Sequence, residues 1–210
     1  MKSHILSEIN SFVKQRLIEV SGILLILFSF FLFASIVTYS PDDPNFIYSP
    51  GSTEIKNIGG FYGSVISDFI LQSIGLVSIL IFINFFYWGL KIITDKKISN
   101  FITKISFVLI YIICGTIFLN SFYNDSYWLI DNGNGGFIGR LIRENIYYFS
   151  PVIDSKYSLY CLSILSITFF ILSLGIKVKE IVKIFLFLFN FIIFIFNFFK
   201  KNKKDILLNE

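Results

Sequence analysis

Four long apolar runs separated by polar segments set the plan of this chain: about Val20 to Tyr39, Phe69 to Leu90, Ile105 to Phe122 and Ser158 to Ile176. Each is close to the ~20 residues that a helix needs to cross a hydrocarbon core of about 30 Å. The first run follows Lys14 and Arg16 and lacks a small-residue cleavage site, since Phe33, Ala34, Ser35 and Ile36 offer none, so it reads as a retained span and not as a signal peptide. The second ends in Tyr87, Trp88 and Lys91, an aromatic and cationic boundary of the kind found where a helix meets water. A Pro, Asp and Gly-rich loop, Ser40 to Ile58, joins the first two spans, and a longer one, Tyr123 to Tyr157, joins the last two; neither is expected to form a sizeable independent core.

The basic residues give the spans a direction. One side receives Lys2, Lys14, Arg16, Lys91, Lys96, Lys97, Lys104 and the lysines from Lys177 to Lys204, whereas the other receives only Lys56, Arg140, Arg143 and Lys156. By the positive-inside rule the first side is cytoplasmic, which predicts an even number of crossings with both termini inside. A fifth apolar run, Ile184 to Phe199, would reach only about 24 Å as a helix. Lys183, Asn190, Asn197 and Lys204 recur along it at heptad spacing as one polar stripe, so it is expected to lie along the cytoplasmic leaflet as an amphipathic juxtamembrane helix. The expected organisation is a cytoplasmic arm over 1–19, an all-α integral membrane domain of four helices over 20–176, and a basic juxtamembrane segment over 177–210.

Composition agrees with this plan and narrows the chemistry. Hydrophobic residues make up 55% of the 210 and charged ones 15%, far from an ordinary soluble domain. The net charge of +4 is accounted for by topology and needs no nucleic acid. Cys114 and Cys161 each sit inside an apolar run, where a thiol is a small hydrophobe and implies neither a disulfide framework nor a metal site. His4 stands alone in the N-terminal arm, without the neighbours a metal site or a catalytic triad requires.

Three polar motifs have simple structural readings. The stretch Gly133 to Arg140 lacks the Gly-Lys-Ser/Thr ending of a phosphate-binding loop and is expected to be an extracytoplasmic turn. Asp42 and Asp43, between Pro41 and Pro44, read as a solvated turn with restricted backbone. Asp68, just before the second apolar run, is expected at the outer membrane boundary, hydrated or favoured by a helix N-terminus. Gly59, Gly63 and Ser67 recur every four residues and would share one helix face suited to close helix packing or self-association, with Tyr39 or Ser40 in reach of the adjacent Asp68.

Taken in order, these pieces resemble the four-helix membrane domain of the FtsK/SpoIIIE DNA translocases. The resemblance rests on Arg16 to Gly22, on Thr38-Tyr39-Ser40-Pro41-Asp42-Asp43-Pro44, on Asn57, Gly59, Gly60, Gly63, Ser67, Asp68 and Gly75, and on Gly135, Gly136 and Gly139 before the last span. In that family the membrane domain precedes a linker and a cytoplasmic hexameric motor that uses ATP to pump double-stranded DNA through the division septum. What the resemblance implies here is the anchor: a module without a Walker A motif, catalytic site, cofactor or metal, reaching DNA and ATP only through a motor absent from this chain. Its implied partners are membrane lipids, further copies of itself and divisome membrane proteins in the bacterial inner membrane. The rival reading, a small transporter or channel subunit, would call for ionisable groups near mid-bilayer, whereas the spans carry mainly Gln72, Asn84 and scattered Ser and Thr.

Overall fold

The computed structural model describes residues 2–47, 54–125, 129, 131–176, 186 and 190. Long runs of Leu, Ile and Phe without proline favour helix, and the chain forms α1 (Lys2–Val37), α2 (Gly60–Ile74), a 3-10 turn (Gly75–Val77), α3 (Ser78–Asp95), α4 (Phe101–Phe122), α5 (Gly136–Phe149), a second 3-10 turn (Pro151–Asp154) and α6 (Lys156–Leu174). Among the described residues four helical segments are long and apolar enough to cross a membrane: Asn10–Val37, Gly60–Asp95, Phe101–Phe122 and Lys156–Leu174. The expected all-α, four-span fold is the one observed. Helices α1 to α6 lie in one compact unit, Met1–Leu174, and Gly175–Glu210 form a second. The amphipathic helix expected over 184–199 and the basic cluster Lys200 to Lys204 lie almost wholly outside the described residues.

Two antiparallel seams build the first unit. In the α1–α3 seam, Gly22 and Gly89 face each other so closely that a Cβ on either would stand about 3 Å from the other's carbonyl oxygen (3.0 and 2.9 Å). Small residues there let the two backbones approach, and dispersion takes over the role that water plays for a soluble core. Farther along, Phe28 meets Phe85, Phe30 meets Phe86 and Phe33 meets Phe82, with ring centroids 4.7 to 5.7 Å apart. In the α4–α6 seam, Phe107 packs on Phe169 and Tyr111 meets Phe170 edge-on, each pair at 5.5 Å.

Several polar groups inside the spans are paired across helices. Asn84 of α3 donates to the Tyr111 hydroxyl (3.0 Å) and accepts from Ser173 of α6 (2.7 Å), while the Trp88 indole donates to the Ser173 carbonyl (3.0 Å). Other hydroxyls return to their own backbone, as buried Ser29 does to Ile26 (2.7 Å) and exposed Ser106 to Ile102 (3.2 Å). Leu24, Leu27, Leu109 and Ile164 point outward, as apolar side chains do when the surroundings are lipid.

Among the described residues the second connecting loop forms no core of its own but contributes to that of the bundle. It contains a helix, α5, and its Leu129 is fully buried with Ile36 and Leu71 in the hydrophobic cluster at the Tyr39 end of the bundle, the distal end. Through Leu129 the loop thus adds to the core where Ile36 of α1 and Leu71 of α2 come together.

Candidate functional site

The distal end is where the polar residues singled out in the sequence converge. Beyond α1 the chain turns at Pro41 and Asp42, both exposed, and brings Asp43 back inside, where it is 3% exposed. Its carboxylate accepts the backbone N–H groups of Lys56 (2.9 Å) and Asn57 (2.8 Å), closing the first loop on itself. This corrects the reading of the Asp42–Asp43 pair as a solvated turn: only Asp42 is solvated, paired with Lys56 at 2.7 Å. That carboxylate holds the exposed Lys56 ammonium above its ordinary pKa. Nothing in residue type separates two adjacent aspartates, and the turn geometry alone sends the second inward.

Asn57, also 3% exposed, joins the first loop to both helices. Its amide nitrogen donates to the Ser35 carbonyl (2.8 Å) and, at longer range, to Thr38 O (3.4 Å) and Ser67 Oγ (3.3 Å); its oxygen accepts from the Gly59 N–H (2.9 Å). Ser64 donates to the carbonyl of buried Pro44, and the Gly60 N–H donates to Asn57 O (2.9 Å). A buried amide with all its groups engaged specifies one geometry, because any slip leaves a donor or acceptor stranded at a cost of about 1–3 kcal/mol.

The small-residue face of Gly59, Gly63 and Ser67 is filled from within the chain. A Cβ at Gly59 would lie 2.6 Å from Ser35 Oγ, and one at Gly63 would lie 2.8 Å from the same atom and overlap the Asn57 amide. The face therefore packs α2 onto α1 and is not open to a second copy.

Asp68 lies mid-helix in α2, not at a helix N-terminus. It accepts from the Tyr39 hydroxyl at 3.0 Å; Gln72 donates to the same hydroxyl (3.3 Å) and accepts from Asn132 (2.8 Å). The chain Asn132–Gln72–Tyr39–Asp68 thus ties the second loop, α2 and the exit of α1 together. Burial holds the Tyr39 phenol above its ordinary pKa, so it remains a neutral donor. Beside this chain opens a cavity of about 460 Å3 whose polar lining includes Asn45, Asp68, Gln72, Asp131 and Asn132, over Phe69 and Phe137. Among the described residues no group of three or more His, Cys, Asp or Glu side chains comes together to hold a metal ion.

The glycines of the second loop dock rather than turn in solvent. Gly75 and Gly136 both adopt positive φ (60° and 66°), and their backbones press together so that a Cβ on Gly136 would stand 2.6 Å from Gly75 N. Leu76, released from the helical ladder by this break, donates its N–H to Asn134 O (3.0 Å). Gly135 and Gly139 lie flat on α4: an added Cβ would meet Thr116 O at 2.6 and 2.5 Å. The expectation of an extracytoplasmic turn at Gly135, Gly136 and Gly139 gives way to a helix start packed between α2 and α4. Past it, Arg143 holds Asp154 through two bonds, 2.9 and 2.6 Å, which keeps the Asp154 carboxyl below its usual range and raises the Arg143 guanidinium.

Sequence reasoning missed Asp43, Ser35, Thr116, Tyr111 and Ser173 as joints of the structure. Each is an ordinary residue in an ordinary place along the chain, and only its partner across the bundle distinguishes it.

The fold and its distal network define a helical, four-span membrane domain whose polar residues are spent on joining helices and loops. Residues 14–196 match the family described as the 4TM region of DNA translocase FtsK/SpoIIIE, and the chain belongs to that family. It is 25% identical over 135 residues to the DNA translocase FtsK of Agrobacterium fabrum, a match covering 64% of this chain and 15% of that protein. The corresponding protein of Bradyrhizobium diazoefficiens is 24% identical over 149 residues (70% and 18%), and that of Rickettsia bellii 28% over 127 residues (60% and 16%). The matches thus span less than a fifth of the length of these curated relatives. No solved structure matches the chain.

Proposed function

We propose that this chain is the membrane anchor of an FtsK-like DNA translocase, working in cell division and chromosome segregation at the septum of a bacterial inner membrane. The observation that carries the reading is the family match over 14–196, which takes in three of the four apolar segments whole and nearly all of the first, Asn10–Val37. In this reading DNA and ATP are handled by a motor outside the matched region, and the domain itself has no enzymatic step. The lysine distribution supports both termini in the cytoplasm, which puts the distal network on the outer side.

Self-association and contacts with divisome membrane proteins belong to the same proposal. They would use the lipid-facing sides of the spans, since the Gly59–Gly63–Ser67 face is taken. A fluorescent fusion of the chain is expected to gather at midcell in dividing cells; a uniform signal around the cell membrane would overturn the septal role. Compartment-sensitive reporters after Lys97, Lys179 and Glu210 are expected to report cytoplasm, and one within 132–134 the outer side.

A further inference from the structure

The segment Gly60–Asp95 changes character at Gly75. Along the α1–α3 seam, Glu19 pairs with Lys96, Gly22 with Gly89 and Phe33 with Phe82, so α3 descends beside α1 and Ser78 stands level with the last turn of α1. The 18 residues of α3 alone measure about 27 Å, enough to cross a bilayer. Helix α2 runs otherwise. Gly63 meets Ser35, and farther along α2 Asp68 and Gln72 meet Tyr39. Contacts thus move toward the distal end as α2 proceeds, the reverse of a descending span. From Gly63 to Gln72 the α2 axis advances about 14 Å, while from Ser35 to Tyr39 the α1 path advances about 6 Å. Helix α2 therefore crosses the distal end of α1 at a steep angle.

The side of α2 turned away from the bundle is apolar. Tyr62 and Phe69 are 74% and 61% exposed, and with Ile66 between them they form one stripe, opposite buried Gly63, Ser67 and Leu71. Helix α5 repeats the arrangement. Phe137, Leu141, Tyr148 and Phe149 are exposed on one arc, interrupted by Asn145 and bordered by exposed Glu144 beside Arg140, while Arg143 lies on the opposite side. Its first turn lies on Thr116, about 9 Å short of the end of α4 at Phe122, so these apolar side chains continue the outward-facing surface of the spans at the depth of the membrane boundary.

We propose that α2 and α5 form an interfacial collar, lying in the distal membrane boundary with Tyr62, Phe69, Leu141 and Phe149 set into lipid and Glu144 in water. The occupant is lipid because both faces are continuous with the lipid-facing sides of the spans and combine aromatic and aliphatic groups beside polar positions, Asp68 and Gln72 on α2 and Arg140 and Glu144 on α5, the pattern of a helix lying at a membrane surface. The gap at Gly75 then separates a collar helix from the second crossing.

The full chain, with Cys114 and Cys161 replaced by Ala, can be spin-labelled singly through Tyr62→Cys, Phe69→Cys, Leu141→Cys, Phe149→Cys, Glu144→Cys and the mid-span reference Leu109→Cys, then reconstituted in phosphatidylcholine–phosphatidylglycerol vesicles. All six positions are exposed or solvent-edge, so the labels leave the packing in place. At 62, 69, 141 and 149, collisions with oxygen are expected to exceed those with a water-soluble nickel chelate severalfold, at a depth shallower than 109, with the preference reversed at 144. Chelate dominance at all four would put the helices in water, and low collision with both probes would put protein on these faces. A label at 69 as deep as one at 109 would make α2 part of the crossing. Any of these three results overturns the collar.

Discussion

The two ends of the bundle are held by different chemistry. At the distal end, beside the ion pairs Lys56–Asp42 and Arg143–Asp154, loops and helices are joined through backbone groups: the Asp43 carboxylate accepts two N–H groups, Asn57 donates to the Ser35 carbonyl, and the Leu76 N–H donates to the Asn134 carbonyl. At the other end the notable groups are ionic. Glu19 pairs with Lys96, the Lys91 ammonium lies 5.5 Å from the Tyr87 ring centroid, and Lys104, buried, has no hydrogen-bond partner for its ammonium among the described residues. Hydrogen bonds to backbone fix position, because direction and distance both matter, whereas charges fix side, because they resist transfer through lipid. The distal end therefore specifies how the helices meet, and the lysine-rich end suits the task of specifying which way they point.

That contrast is open to attack, first at its strongest joint. Asp43→Ala strips the acceptor from two buried N–H groups, and Asn57→Leu strands Ser35 O and the Gly59 N–H. Each is expected to cost about 3 kcal/mol, read as a lowered unfolding midpoint in mixed micelles. A loss no greater than that of Asp42→Ala, the exposed neighbour, would remove the distinction between the two aspartates. Next comes Gly139→Leu, whose side chain must push α5 off the Thr116 backbone; about 2 kcal/mol is expected, together with faster proteolysis of the second loop.

Midway between the ends, Asn84→Leu removes one interhelical joint while adding apolar surface that lipid tolerates. A cost of about 1 kcal/mol is expected, in keeping with hydrogen bonds between membrane helices. The Arg143–Asp154 pair makes a smaller contribution with a definite sign. The Asp154 pKa is depressed in the folded state, so its stabilisation is present above the ordinary carboxylate range near pH 4 and is lost as pH falls through the lower folded value. Between pH 7 and pH 3 the parent chain is expected to lose up to about 1 kcal/mol more than Asp154→Asn, as measured by parallel midpoints. Least of all, Glu19→Gln at the lysine-rich end is expected to leave the midpoint unchanged within error, and a loss matching that of Asn84→Leu would break the contrast between position-setting and side-setting ends.

The spans were legible because lipid demands long apolar helices, and no tertiary context hides a run such as Ile105 to Phe122. The reach of Tyr39 to Asp68 was within sequence reasoning as well, since both flank the same membrane boundary. The roles of Asp43 and of the Gly135–Gly139 stretch were not. Asp, Pro and Gly signal a turn whether that turn faces solvent or packs under a helix, and local sequence carries no term for what lies across the bundle.

By itself, then, the sequence determined that this chain lives in a membrane, how many apolar segments it has and which family it resembles, all properties carried by composition and order along one dimension. Only the tertiary structure decided that Gly59 and Gly63 face Ser35 and Asn57 instead of another copy, that Asp43 turns inward while Asp42 does not, and that the helical path breaks at Gly75 to meet Gly136. These are pairings between residues far apart in the chain, and a hydrogen bond or a close backbone approach exists only when both members are brought together.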